Sequence, residues 1–424
     1  MRYEQALESV LSRINEHDLV DFTRDVARIP SVHGDEYAIG EAFYRRLSEL
    51  GIGTAKLPVE NNRFNVLGKI KGAGDGRSLM FNGHMDTVEE LLGWTKAAYG
   101  GELEDGKIYG HGVSNMKASD TAMVYALAAI KDTGIRLKGD LSLALVVGEC
   151  HGGVGTRELM KQGVRSDVFL CTEPTYLNVL NIHAYSQYFR VNIIGRTGHF
   201  GTHDHGLNAI MKMYELTGRL GPMHEDLGEV SWIKFNDKPQ YDGLPRYHLG
   251  TIRGGLTRDC KEGPSNTPDF CTGILNVRAT PNKKIESTME DISRVLDEMR
   301  KDDPGFKYEI SIFREMKGFE AVEGSVAVEA ASRAYTDVMG EKANVGPIQP
   351  YMFMASDSGH MQAVGMNDGA LIGPGAFTSS VVDEHVEVDK LVAAAKIFAA
   401  AALRVCEVAE SGADSPARVA AAQR

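Results

Sequence analysis

Three short apolar runs limit what this chain can fold into: Leu79 to Phe81, Leu141 to Val147, and Val168 to Thr172. Runs this short and this continuously apolar read as strands covered on both faces, the pattern of a sheet layered with helices. Each run leads into a side chain able to bind a metal or move a proton, namely His84, Glu149 and Glu173. In open α/β sheets, ligands collect in the crevice beyond the carboxyl ends of the strands. That common position makes His84, Glu149 and Glu173 one candidate site. Asp86 follows His84 by two residues, so an extended backbone would point both side chains the same way and let Asp86 hold the second ring nitrogen. The spacing alone is weak, since it recurs at His33/Asp35 and His224/Asp226.

The rest of the chain divides by texture. Helical spacing of Leu7, Val10, Leu11 and Ile14 opens the chain, and a second helix runs from near Asp18 to before Pro30. A third, capped by Asp35 and ended by Gly51, turns Ile39, Phe43 and Leu47 inward. A strand at Asn65–Ile70 and an Ala/Met-rich helix from about Met116 to Lys131 complete an alternation typical of α/β layers. From His183 the pattern changes to strands at 188–194, 269–278 and 306–313 with helices at 207–220 and 285–299. This suits a smaller α+β domain inserted into the first, which resumes with a helix at 326–339, a strand at 370–372 and a long helix from Val388. The expected organisation is therefore a catalytic domain over 1–182 and 316–410, an inserted domain over 183–315, and a disordered tail over 411–424.

Charge and cysteine usage exclude several functions. A net charge of −12 argues against nucleic acid or an anionic membrane surface as partner. Five cysteines without framework spacing indicate a reducing compartment rather than a disulfide scaffold. The alanine-rich stretch from Leu391 to Val405 is interrupted by Lys396, as in a core helix rather than a membrane span. The N-terminus lacks the apolar core of a signal peptide, so a cytoplasmic protein with a small-molecule substrate is expected.

Further segments carry a resemblance across nearly the whole length. They include Pro30-Ser31-Val32, Gly83 to Thr87, Gly112 to Lys117, Glu149 to Thr156 and Thr172 to Thr175. In the inserted part they are Gly198-His199, Gly206 to Ala209, Gly254-Gly255, Asn266-Thr267-Pro268 and Arg278, followed by Asp357, Gly373-Pro374-Gly375 and His385. With these the chain resembles the co-catalytic metallohydrolases that include aminoacylase, glutamate carboxypeptidase and succinyl-diaminopimelate desuccinylase. The resemblance implies a mixed-sheet α/β catalytic domain with an inserted lid and dimerisation domain, hence a homo-oligomer. It implies that His84 and Glu173 bind one metal, that Asp86 orients His84, and that Glu149 is the general base. It further implies that His199 and Asn266 steady developing negative charge, that Arg278 holds a substrate carboxylate, and that acidic residues at 115 and 150 join His385 around a second metal.

Positions 115 and 150 are instead Asn and Cys. Two divalent ions about 3.5–4 Å apart repel by roughly 18 kcal/mol at an effective dielectric of about 20. An anionic bridge offsets much of this, whereas a neutral amide oxygen does not. One ion held by His84, Asn115 and Glu173 is therefore expected, with His385 left to touch substrate. One nitrogen and two oxygens favour manganese and remain compatible with zinc or iron. Asn and Cys at these places resemble a divergent aminohydrolase branch of the family, acting on 5-nitroanthranilate, which replaces an aromatic amine by hydroxyl and releases ammonia. Tyr351 to Met354 offers a flat apolar wall for such a ring. The competing expectations are an amidase or peptidase acting on N-acyl amino acids or small peptides, and a binding protein without turnover, against which Asp86 and Glu149 speak.

Overall fold

The computed structural model describes residues 2–221 and 246–409; the tail expected to be disordered and His224 lie outside them. Two units emerge, one formed by Met1–Asn181, Ala321–Tyr351 and Ser356–Arg424, the other by Ile182–Glu320 with Met352–Ala355.

In the first unit a six-stranded mixed sheet runs in the order Gly53–Pro58, Phe64–Ile70, Leu141–Val146, Leu79–His84, Val168–Cys171, Gly369–Leu371. Gly53–Pro58 and Leu141–Val146 both run antiparallel to Phe64–Ile70 between them, and the last four strands of the order are mutually parallel. Leu79–His84 lies between the other two apolar runs, pairing His84 with Val146 and Asn82 with Cys171. Parallel pairing brings all three carboxyl ends to one edge. Every residue of Leu79–His84 is buried, as its unbroken apolar character requires.

Helices Ala118–Asp132 and Val388–Cys406 pack against the sheet and each other, with 13 of 15 residues buried in the first and 13 of 19 in the second. Alanine dominates both because close helix contact leaves room for little else. The Phe81 ring meets Phe398 at 5.4 Å, and burying one such side chain contributes about 1.5–3 kcal/mol. The first of these helices starts at Ala118, later than its sequence pattern suggests, because Val113–Lys117 forms a wider turn in which Asn115 and Met116 are non-helical. The helix Tyr37–Glu49 follows Glu36, not a capping Asp35, since Glu36 is held by the buried Arg63 guanidinium.

The second unit has a four-stranded antiparallel sheet, ordered Arg246–Gly255, Phe270–Ala279, Tyr185–Ile194, Lys307–Met316. Helices Ala209–Leu220 and Ile285–Asp302 share one core with it. Asn208 caps the first by accepting from the N–H groups of Ile210 and Met211. The unit reaches Glu320, beyond the expected boundary, because Phe319–Glu320 pairs with Ile182–His183. No helix among the described residues is long and apolar enough to cross a membrane.

Candidate metal centre

The strand carrying His84 needs glycine at 83. A Cβ there would lie 2.2 Å from Asp120 Oδ1 and 3.0 Å from Thr172 Oγ1. His84 Nδ1 lies 2.8 Å from the carbonyl oxygen of Asp86. A carbonyl only accepts, so Nδ1 carries a proton, and Nε2 is the nitrogen left to face Asn115 and Glu149. That nitrogen is 3.2 Å from Asn115 Oδ1 and 3.7 Å from Glu149 Oε2.

Asp86 thus acts on His84 chiefly through its backbone, which corrects the expectation of a side-chain partner. Its carboxylate lies 3.6 Å from Nδ1 and accepts instead from the N–H groups of Glu149, at 2.9 Å, and Cys150, at 3.0 Å. These two bonds clamp the turn after the strand Leu141–Val146, which Gly148 enters with a φ of +74°, a conformation that favours glycine. The turn sets the almost buried Glu149 carboxylate beside His84.

Asn115 does not cap the helix that follows; its backbone N–H donates to Glu384 Oε1 at 2.9 Å. Glu384 is fully buried and also accepts from the N–H groups of Ser114, Gly112 and Ser380. Burial pushes its carboxyl up to about 7, against the pull of those four donors. Each oxygen accepts two N–H bonds, which leaves no seat for a carboxyl proton and favours the ionised form. The Asn115 side-chain amide nitrogen donates to Ser380 Oγ at 3.4 Å, so its Oδ1 faces His84.

Glu173 follows Thr172, whose N–H donates to Asn82 O at 2.8 Å, and is buried. Its charge reaches Asp120 and Cys150 and helps to push both groups up. In Cys150 the larger cause is burial of the thiol, seconded by Asp86. His84 Nε2, Asn115 Oδ1 and the Glu149 carboxylate thus stand close together, and Glu173 acts on the neighbouring Cys150 through its charge. This donor set fits a divalent cation.

His385 opens a short strand paired with Tyr109, its ring 5.1 Å from that tyrosine and its Nδ1 3.1 Å from Asp383 O. Ser380, not His385, abuts Asn115. His199 and Asn266 are bridged through their backbones in the second unit, with the His199 ring stacked on Phe200. Arg278 lies on the sheet of that unit. Met352 and Phe353 are buried, while Tyr351 stacks on the exposed Phe377 at 4.8 Å.

Sequence reasoning passed over Ser380, Glu384 and Lys117. Lys117 is buried, donates to Ile29 O and His111 O, and is pushed down to about 8 by burial. It also passed over His33 and His151, whose rings stack at 3.7 Å beside Asp86. Parallel rings direct their in-plane lone pairs along separate planes, so the pair makes a poor ligand set.

Comparison with known proteins agrees with this architecture. The sequence profile of peptidase family M20/M25/M40 matches residues 80–404. A Bacillus subtilis deformylase of N-formyl-4-amino-5-aminomethyl-2-methylpyrimidine is 28% identical over 380 residues, covering 83% of this chain and 85% of its own. Human carnosine dipeptidase 1 superposes with a TM-score of 0.76 at 18% identity, covering 95% of this chain and 99% of its own. A dinuclear metal-binding peptidase of Bacillus subtilis superposes at 0.65 and 16% identity, covering 93% and 99%.

Proposed function

The chain belongs to peptidase family M20/M25/M40 and is a metal-dependent hydrolase of carbon–nitrogen bonds, and from that premise we propose that it works with a single ion on an electron-poor aromatic amine. His84 Nε2, Asn115 Oδ1 and Glu173 would hold the ion, with manganese favoured. The observation that carries the reading is that the side chain facing His84 at position 115 is a neutral amide, its nitrogen donating to Ser380 Oγ. An amide, the Ser380 hydroxyl and the Cys150 thiol offer no anion to hold two divalent ions together. A divalent ion at this position supplies Lewis acidity towards water and substrate.

The protein's own groups handle the protons. Glu149 takes a proton from water as its oxygen bonds to the ring carbon bearing nitrogen. The carbon–nitrogen bond then breaks, and Glu149 returns the proton to departing ammonia, giving the phenol. With 5-nitroanthranilate, the nitro group para to the amine accepts the charge that builds up in the ring. Asp86 keeps Glu149 in range through the two N–H bonds of its turn. The exposed Phe377, stacked on Tyr351 and three residues before Ser380, supports an aromatic substrate. His199, Asn266, Arg278 and His385 remain proposed substrate contacts, and a homo-oligomer through the inserted domain is part of the same proposal.

A second reading, hydrolysis of an amide or small peptide, is favoured by the deformylase and dipeptidase likenesses. Purified protein loaded with manganese should release ammonia from 5-nitroanthranilate and leave N-acyl amino acids and dipeptides intact. Cleavage of the acyl compounds without ammonia release would replace the first reading by the second.

A further inference from the structure

The loop that carries Glu149 leaves the sheet and returns to it at one place. Antiparallel pairing between Phe64–Ile70 and Leu141–Val146 stops at Val66 and Leu145, so the Val147 N–H lies beyond the ladder and needs another acceptor. The buried Asn65 side chain supplies it, its Oδ1 accepting from the Val147 N–H at 3.1 Å. Its Nδ2 donates to Gly155 O at 2.9 Å, and the Gly155 N–H donates to Val147 O at 2.9 Å. These bonds form a closed ring across the neck of loop 148–154. Only one orientation of the amide satisfies both contacts, since its oxygen must meet an N–H and its NH₂ a carbonyl. The fit leaves no slack, because a Cβ on Gly155 would lie 2.4 Å from Val147 O and 2.6 Å from Asn65 Oδ1.

The loop itself supplies little rigidity. Gly148, Gly152 and Gly153 all have positive φ, at +74°, +101° and +67°, and glycine has more conformers to lose on folding than any other residue. Restraint therefore comes from outside. Asp86 holds the tip through the N–H groups of Glu149 and Cys150. Gly148 faces Arg63, whose Nη2 lies 2.7 Å from where a Cβ would stand, and Glu36 fixes that guanidinium through bonds of 2.8 and 2.5 Å. Asn65 alone joins the two ends. Glu149 Oε2 stands 3.7 Å from His84 Nε2, a separation that depends on both tip and neck. A misplacement of about 1 Å at a reacting centre can cost about 10²-fold in rate.

We propose that Asn65 is a positioning residue for the reaction. By closing the neck of loop 148–154 it fixes the reach of Glu149 towards water, and so governs proton transfer while leaving metal and substrate affinity alone. This role rests on Glu149 being the base assigned above, and it applies to an aromatic amine or an amide alike.

Two variants separate positioning from bulk stability. Asn65→Ala opens the ring, and kcat should fall by about 10–10²-fold with KM and bound metal within about twofold. Asn65→Asp keeps the shape and still accepts from Val147. Its second oxygen repels Gly155 O when ionised and donates to it when protonated, and burial favours the protonated form. Its kcat should therefore match the native enzyme at low pH and drop below it as pH rises. Ser325→Ala, which removes the cap of Val326–Met339 in the same unit, should lower the melting temperature without changing kcat. Hydrogen exchange read by mass spectrometry needs no substrate: Asn65→Ala should speed exchange over 147–155 and leave Ala118–Asp132 unchanged. Kinetics use 5-nitroanthranilate, or an N-acyl amino acid if the native protein cleaves that instead, and Asn65→Asp decides if Asn65→Ala does not fold. Retained activity in Glu149→Gln would remove the base, whereas unchanged exchange over 147–155 in Asn65→Ala would remove the clamp alone. A kcat within about twofold of native in Asn65→Ala, a constant ratio to native across pH in Asn65→Asp, or an equal kcat loss in Ser325→Ala also overturns the assignment, since each is smaller than or unrelated to the expected misplacement.

Discussion

Glu384 is the residue whose replacement most sharply tests how the site is held. Its two oxygens accept from the N–H groups of Gly112, Ser114, Asn115 and Ser380 at 2.9–3.3 Å, all in a dry interior. Glu384→Gln preserves the shape but converts one oxygen into an NH₂ group, which then faces two N–H donors. A hydrogen bond to a charged acceptor contributes about 1.5–3 kcal/mol, so losing two costs about 3–6 kcal/mol. Part of that loss falls on the segment that presents Asn115, and metal affinity should fall with it. Urea unfolding of the metal-free variant measures the first effect, and a competitive metal titration measures the second. A loss below about 1 kcal/mol with metal affinity unchanged would refute the reasoning, because one ordinary neutral hydrogen bond would then account for all of it.

Further outcomes rest on the same geometry. Asn115→Asp restores an anion between the two metal positions, so metal analysis should show binding rising above one ion per chain. Glu149→Gln removes the proton carrier, and kcat should drop by about 10²–10⁴-fold while bound metal stays constant. Gly83→Ala places a Cβ 2.2 Å from Asp120 Oδ1, and overpacking of this kind should lower stability by about 1–3 kcal/mol in a denaturant titration.

The three strands that build the site could be read from the chain because a strand covered on both faces must be apolar along its length. Their polar outgoing residues, His84, Glu149 and Glu173, then stood out by contrast. What escaped notice depends on tertiary geometry. Asp86 orients His84 through a carbonyl, which every residue possesses, and its carboxylate works on a turn some sixty residues onward. His385 drew attention by residue type, but five residues earlier the chain sets Ser380 against Asn115. Glu384 sat unnoticed between Asp383 and His385, since nothing local marks a carboxylate that caps a distant backbone. The strand Arg246–Gly255 was equally hidden, because its place at the edge of the second sheet shows only once the sheet forms.

The anchoring of Gly112–Asn115 by Glu384 spans 269 to 272 residues of chain. During synthesis, His84, Asn115 and Glu173 all leave the ribosome before the segment that locks Asn115 in place. A nascent chain therefore carries the ligands long before it can grip an ion, and competence for metal arrives among the final steps of its making.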